Sequence, residues 1–143
     1  MVIGINLKIK SVWLNLPVKN MAKSRQFFRA IGFRENPMFE NSNDTASFFI
    51  GENNFVLMLF PYETFKGFTQ NEVSTRGTEV LINIDAQSRK EVDEMAALVR
   101  GAGGKIFAEP GEAQGWMYAF GFEDVDGHRW SMLYMELDKM PTS

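Results

Sequence analysis

The sequence contains no cysteine. This absence excludes disulfide bonds and thiol chemistry, and it suits a reducing compartment, so we expect a cytoplasmic protein. Histidine is almost as scarce, since His128 is the only one in the chain. A conventional zinc site therefore cannot form unless several carboxylates contribute ligands.

Excess positive charge and long apolar runs are also missing. Fifteen Lys and Arg residues against eighteen Asp and Glu residues give a net charge of −3. Without a basic run, nucleic acid is not expected to be a main partner. No apolar run approaches the ~20 residues of a membrane span, and the first residues lack the apolar core of a signal peptide. We therefore expect no membrane partner.

Aromatic residues, by contrast, are plentiful, with thirteen Phe and three Trp among 143 residues. A chain of this length buries around 70% of its unfolded surface, so most of these rings belong in a core. The same supply suits a pocket that binds a flat or apolar ligand. The length fits one domain, or two small similar modules that share a core.

Residues 11–60 are predicted to form a first module with the order strand, helix, strand, strand, strand. The first strand, residues 11–18, alternates between an aliphatic face and a mixed face. A helix then begins after the N-cap candidate Asn20 and ends at Gly32, which suits the position just past a helix end. Three short apolar runs separated by turn residues complete the module.

Residues 78–136 repeat this order. The second helix begins at Ser88 and Glu91, which have the spacing of a capping box. The closing hairpin turns at Asp126 and Gly127, the strongest short signal for a hairpin. Right-handed crossovers place each helix on one face of its sheet. We therefore predict an α+β fold in which two βαβββ modules form a curved mixed sheet around a groove.

We interpret residues 1–143 as a single domain whose two modules are joined by a linker, residues 61–77. The linker shows no clear period, and connections of this length inside a compact domain are often lids or linkers. Phe65 and Phe68 either cover an apolar site or pack on the sheet edge as part of a surface connector. Both interpretations stay open.

The groove is predicted from the alternation of the strands. The aliphatic faces are expected to pack on the helices, which leaves the mixed faces for the groove. This surface is mostly apolar with a few polar groups, the usual composition of a small-molecule site. Its residues are Trp13, Asn15, Val56, Met58, Phe60, Glu79, Leu81, Asn83, Ser131 and Leu133.

Glu79 is the most informative of these residues. A carboxylate flanked by Val80 and Leu81 on a central strand must be paired, neutral or reached by solvent. It is a candidate general base or anchor for a polar ligand, or it pairs with an Arg or Lys at the sheet rim. Asn15 and Asn83 are interpreted first as satisfied by backbone groups and second as ligand donors.

The acidic hairpin near the C-terminus offers weaker candidates. His128 follows the Asp-Gly turn, and we interpret it as a solvated turn residue. Glu123, Asp124 and Asp126 gather carboxylates without the spacing of a calcium loop, so we interpret them as turn chemistry.

Four stretches carry a resemblance to a known family. Residues 15–24 (NLPVKNMAKS) and 27–33 (FFRAIGF) resemble the opening of the vicinal oxygen chelate superfamily, and residues 122–128 (FEDVDGH) resemble its closing hairpin. This superfamily includes glyoxalase I, bleomycin-resistance proteins and extradiol dioxygenases. Together with residues 88–94 (SRKEVDE), the chain is similar to bacterial proteins labelled predicted lactoylglutathione lyases. The resemblance covers nearly the whole chain.

The resemblance also implies where a metal would bind. The metal enzymes of the superfamily use His, Gln or Glu side chains from four strands of the groove, and the matching positions here are Trp13, Met58, Glu79 and Ser131. Only Glu79 is a good oxygen ligand for a hard divalent ion, because indole cannot ligate and a thioether or neutral hydroxyl is a poor substitute. We therefore expect no cofactor and disfavour a divalent metal.

We expect a protein that binds a small, largely apolar or aromatic molecule in the sheet groove. Glu79 would be its catalytic or anchoring residue, and the ligand-binding residues would be Trp13, Asn15, Met58, Phe60, Asn83 and Ser131. Two alternatives stay open: a metal-dependent lyase or isomerase of the lactoylglutathione lyase type, and a ligand-sensing or interaction module without chemistry. The resemblance also implies a homodimer.

Overall fold

Eight strands and three helices follow one another along residues 8–141, the part of the chain that the computed structural model describes. Short 3-10 turns lie at Pro37–Phe39 and Leu137–Lys139. The elements are β1 (Trp13–Val18), α1 (Met21–Ala30), β2 (Arg34–Glu35), β3 (Ala46–Ile50), β4 (Phe55–Pro61), α2 (Tyr62–Thr69), β5 (Leu81–Asp85), α3 (Arg89–Gly101), β6 (Lys105–Ala113), β7 (Met117–Glu123) and β8 (Arg129–Met135).

The strands form two four-stranded sheets with matching topology. The first has the order β1-β4-β3-β2 and the second the order β5-β8-β7-β6. In each sheet the first strand of the module runs parallel to the last, β1 to β4 and β5 to β8, and the other pairs are antiparallel. The predicted α+β fold of two βαβββ modules is confirmed.

Local sequence signals set where the two long helices begin. The side chain of Asn20 accepts a hydrogen bond from the backbone N–H of Lys23 at 3.0 Å, which caps α1. At α3, the hydroxyl of Ser88 accepts from the N–H of Glu91 at 3.1 Å. Each cap satisfies an N–H that has no partner inside its helix. Gly32 follows α1 with a φ of +96°, a left-handed conformation that glycine adopts without strain.

One aromatic core joins the two modules. Phe28, which is fully buried on α1, lies 5.8 Å from Phe48 of the first sheet and 5.6 Å from Trp130 of the second, measured between ring centroids. Phe27 lies 6.4 Å from Phe122. Such ring pairs add about 0.5–1.5 kcal/mol each beyond the area they bury. The modules therefore share a core on the faces that α1 and α3 cover.

The opposite faces of the two sheets, here called the open faces, are much less covered. Trp13 is 56% exposed and Leu81 is 55% exposed. Part of the first open face is in contact with α2, which packs against β1 and β4. There the rings of Phe60 and Phe68 meet edge to face at 4.9 Å.

The linker and the strand after it differ from the expectation. Residues 62–69 form helix α2, and β5 begins at Leu81 rather than at residue 78. The helix was missed because it has only eight residues and Pro61 caps it without a side-chain hydrogen bond. Glu79 consequently precedes β5 instead of lying within it.

Within residues 8–141, no helix combines the length and apolar character needed to cross a membrane.

Candidate functional site

A cavity of about 530 Å³, here called the inter-sheet cleft, opens between β1 and the segment that leads into β5. Its volume lies within the ordinary range for small-molecule sites. Residues from four parts of the chain line it: residues 14–17 of β1, Tyr62 and Phe65 of α2, residues 77–80 before β5, and residues 126–129 at the β7–β8 turn.

The cleft brings together two of the predicted site residues, Asn15 from the first module and Glu79 from the second. The other five predicted site residues lie on strands but do not line the cleft. Met58 and Phe60 sit on β4, opposite Asn15 and Pro17 of β1. The remaining residues are Trp13 on β1, and Asn83 and Ser131, which pair across β5 and β8.

The four positions that the resemblance assigns to a metal do not form a suitable donor set. Ser131 pairs with Asn83, whereas Glu79 lies four residues earlier, before β5 begins. Indole, thioether, carboxylate and hydroxyl also offer a hard divalent ion only one good ligand. Among residues 8–141, no group of three or more His, Asp or Glu side chains is placed to hold a metal ion. These residues do not fit the metal of the superfamily's enzymes.

The carboxylate of Glu79 is exposed to solvent. Within the described part of the chain it forms no salt bridge. Lys19 and Arg129 also line the cleft, and Arg129 pairs instead with Glu123 at 3.3 Å and lies 4.2 Å from the ring centroid of Phe107. The sequence leaves this carboxylate three possible states: paired, neutral or reached by solvent. In the structure it is reached by solvent, so it is available to a ligand.

The β7–β8 turn fastens the second module to the first at one end of the cleft. The Nε2–H of His128 donates to the carbonyl oxygen of Pro17 at 2.8 Å; the ring nitrogen must carry the proton because a carbonyl only accepts. Asp126 accepts from the N–H of Lys19 at 2.8 Å and from the hydroxyl of Ser24 at 2.6 Å. We call these three hydrogen bonds the turn clasp.

The turn clasp corrects the interpretation of two residues. His128 is half-buried and bonded to the first module, so it is not a solvated turn residue. Asp126 likewise reaches across to Lys19, directly after β1, and to Ser24 of α1 rather than serving its own turn alone. Neighbouring residues in the sequence do not reveal such contacts, since the partner of Asp126 or His128 in each bond lies more than a hundred residues earlier in the chain.

Asp124, in contrast, organises the turn itself as expected. One carboxylate oxygen accepts from the N–H groups of Asp126 and His128, each at 3.0 Å, and the other accepts from the indole N–H of Trp130 at 3.1 Å. Burial raises the pKa of Asp124, and the nearby His128 and these hydrogen bonds oppose that rise. The side chain holds the turn in the shape that presents the clasp.

Tyr62 is a cleft residue that the sequence reasoning missed, because it lies at the start of the unrecognised helix α2. Burial and the nearby charge of Asp126 raise the pKa of its phenol above the ordinary value. The phenol therefore stays protonated at neutral pH and can donate a hydrogen bond. With Phe65 one turn further along the same helix, it forms an aromatic wall.

Taken together, the cleft offers a ligand two kinds of contact. Leu14, Phe65 and Ile82 supply apolar surface, while the Glu79 carboxylate accepts and the Tyr62 phenol donates hydrogen bonds. A molecule with an apolar body and a polar group has complementary chemistry.

Comparison with known proteins identifies relatives along almost the whole chain. The family model of the Glyoxalase/Bleomycin resistance protein/Dioxygenase superfamily matches residues 10–132. The structure of a hypothetical protein from S. aureus is similar, with a TM-score of 0.79 and 32% identity, over 89% of this chain and 95% of that one. No curated protein matches the sequence.

More distant structures share the fold. A glyoxalase/bleomycin resistance protein/dioxygenase family enzyme from Burkholderia phytofirmans is 16% identical, with a TM-score of 0.71 over 86% of this chain and 96% of that one. The fosfomycin resistance protein FosX from Listeria monocytogenes, in complex with Mn(II) and sulfate, is 20% identical, with a TM-score of 0.66 over 97% of this chain and 95% of that one.

Proposed function

Because the chain belongs to the glyoxalase/bleomycin resistance protein/dioxygenase superfamily, we propose that it binds a small, largely apolar or aromatic molecule in the inter-sheet cleft without a metal ion. The observation that supports this proposal is the meeting of Asn15 and Glu79, from different modules, in one cavity with Tyr62 and Phe65. Superfamily folds host many activities, so the proposal rests on the site rather than on the fold.

The walls of the cleft would supply most of the affinity. Removing apolar area from water contributes about 25 cal/mol per Å², and a ring that packs on Tyr62 and Phe65 buries area on both partners. Glu79 would orient the ligand by accepting hydrogen bonds from its polar end. Because Glu79 is solvated and without a salt bridge in the described chain, a ligand meets no competing cation there.

Metal-free binding follows from the chemistry of the donor atoms. A lyase of the lactoylglutathione lyase type needs several good ligands for a divalent ion, and only Glu79 among the four matching positions is one. We therefore assign Glu79 to the ligand and not to a metal. Metal analysis of protein purified without chelator provides a test, since a stoichiometric divalent metal would contradict this assignment.

A second copy of the chain is proposed to cover the open faces. Large exposed apolar patches mark interaction sites, and Trp13, Leu81 and Met135 are each more than one third exposed on these strands. If a second copy buried these side chains, it would also contact the predicted site residues that lie outside the cleft, including Met58 and Ser131. Sedimentation at micromolar concentration distinguishes a dimer from a monomer.

We further propose that the protein acts in the cytoplasm, because a chain without cysteine suits a reducing compartment.

The binding proposal is tested with a neutral aromatic fluorophore, N-phenyl-1-naphthylamine, whose emission rises in apolar surroundings. Helix α2 offers a matched pair of variants, because Phe65 lines the cleft and Phe68 does not. Phe65→Ala should weaken binding by about tenfold, the equivalent of one lost ring contact, while Phe68→Ala should leave it nearly unchanged. Equal effects of the two variants, or no binding by the wild type, would overturn the proposal.

A further inference from the structure

The inter-sheet cleft is lined by consecutive residues of β1, from position 14 to position 17. Successive side chains of a strand point to opposite faces, so four residues in a row reach one cavity only where it lies along the strand's edge. The edge in question is free, because β1 is bonded to β4 on one side and no strand within residues 8–141 pairs with the other side. Backbone groups of β1 that are not bonded to β4 therefore face the cleft.

The turn clasp shows which backbone groups these are. The carbonyl of Pro17 points toward the second module, where it accepts from His128. Residues two apart in a strand point their N–H and C=O groups in the same direction, so both groups of Asn15 point into the cleft as well. Proline at position 17 agrees with this orientation, since its missing N–H would have faced the cleft and not the bonds to β4.

The other wall is the segment that leads into β5. Residues 77–80, again four in a row, line the cleft where the chain enters β5. Strand β5 pairs only with β8 among the described strands. The cleft thus lies between the free edge of β1 and the segment that leads into β5, with the aromatic side chains of Tyr62 and Phe65 beside them.

We propose that the ligand of the cleft is a short free peptide of about four residues, bound in extended conformation as an added strand beside β1. Extended peptides bind free sheet edges through main-chain hydrogen bonds, and pockets for alternate side chains supply selectivity. Four residues of β1 span about 13 Å at ~3.3 Å per residue, which sets the length. This inference rests on the proposed function, because it names the class of molecule that the same cleft takes.

Two charged side chains favour a free peptide over an internal segment of a longer chain. Lys19 and Glu79 both line the cleft, are exposed and form no salt bridge within residues 8–141. A free peptide carries one carboxylate and one ammonium group, which complement these two charges. A peptide with both ends capped keeps the main-chain bonds but loses both charged partners.

The test is calorimetric titration of the intact protein with a set of tetrapeptides that carry Val, Ile or Leu at alternate positions. Each peptide is compared with its end-capped form and with forms methylated on alternate main-chain nitrogens. Binding of the free peptide, with about tenfold weaker binding of the capped form and of one N-methylated form, is the expected result. Equal binding of the free and N-methylated forms overturns the inference.

Two variants at one position isolate the backbone. Asn15→Pro removes the side chain and the N–H that faces the cleft, while Asn15→Ala removes only the side chain. The Pro variant should bind the peptide about tenfold more weakly than the Ala variant, with circular dichroism confirming that both are folded. Equal affinities contradict strand addition, and the methylated peptides decide the matter on wild-type protein if the Pro variant fails to fold. Binding of the aromatic fluorophore without any tetrapeptide would overturn this inference and leave the proposed function standing.

Discussion

The Nε2 atom of His128 lies 2.8 Å from the carbonyl oxygen of Pro17, although 111 positions separate the two residues in the chain. This bond and the two made by Asp126 join the modules at the end of the inter-sheet cleft. The shared aromatic core lies on the other side of the sheets, under α1 and α3. The two modules are therefore joined by a packed core on one side and by a small set of polar contacts beside the cleft, and each polar contact can be removed by a single substitution.

Asp126→Ala removes the acceptor of two clasp bonds. We expect a loss of about 1.5–3 kcal/mol in the free energy of unfolding, because the hydroxyl of Ser24 is fully buried and is left without its partner. Urea denaturation measures the change. Ser24→Ala alone should cost less, and the double variant should cost less than the sum of the two, since both substitutions remove the same bond. Strict additivity would show that the bond is not formed in solution.

The sequence predicts local features of this fold well and long-range contacts poorly. The caps at Asn20 and Ser88 involve bonds to residues three positions away, so a short stretch contains all the information. The clasp bonds of Asp126 and His128 depend on how the two modules pack, which no local pattern specifies. The sequence around His128 therefore indicates an ordinary turn residue, although its ring bonds to the carbonyl oxygen of Pro17.

Only part of the candidate site can be predicted from the sequence, because some of its features have no local sequence signal. Alternation along the strands indicated Asn15 and Glu79, and both line the cleft. Phe65 is one of the two residues that the sequence offers as a possible cover of an apolar site, but Tyr62 carries no signal, because an eight-residue helix presents too few turns to show a period. The free edge of β1 carries no side-chain signal at all, since it consists of backbone groups.

Arg25 is nearly buried, at 7% exposure, and it holds the connection between β2 and β3. Its guanidinium pairs with Glu35 at 2.8 Å and donates to the carbonyl oxygens of Phe39, Glu40, Ser42 and Thr45. Arg25→Met should therefore destabilise the protein by about 3–5 kcal/mol, because it leaves four backbone carbonyls without their donor and leaves the half-buried carboxylate of Glu35 with Arg29 as its remaining partner.

Arg29 provides the matched control for this substitution. It pairs with the same residue, Glu35, but its side chain is 51% exposed. Arg29→Met should cost about 0–1 kcal/mol, as exposed ion pairs do. Thermal or urea unfolding of the two variants gives the comparison, and a cost for Arg29→Met equal to that of Arg25→Met would contradict the role assigned to burial.

Position 121 requires glycine because the ring of Phe107 lies directly against it. A Cβ atom at this position would stand 2.4 Å from the ring of Phe107, closer than real contacts allow. Gly121→Ala should thus destabilise the protein by about 1–3 kcal/mol through overpacking, as measured by urea denaturation. Adding Phe107→Ala should recover much of that loss, because it removes the clashing ring.

Gly111 serves as the control for this clash. The nearest atom to a Cβ built there is a carbonyl oxygen 3.8 Å away, an ordinary contact. Gly111→Ala should accordingly change stability by less than Gly121→Ala. If Phe107→Ala did not rescue Gly121→Ala, the strain would have to lie elsewhere.

The buried carboxyl of Asp124 predicts a pH dependence of stability with a definite sign. Burial raises its pKa in the folded state, so the unfolded chain gives up this proton first as the pH rises from about 3.9. The contribution of Asp124 to stability is complete below that value and falls as the pH rises through the raised folded pKa. Asp124→Asn does not titrate, so the difference in unfolding free energy between wild type and variant isolates the effect. Urea denaturation from pH 3 to pH 7 should show that the unfolding free energy of the wild type decreases relative to that of the variant as the pH rises.

A difference in unfolding free energy that stays constant, or that increases in favour of the wild type, would mean that the hydrogen bonds from Trp130, Asp126 and His128 outweigh burial.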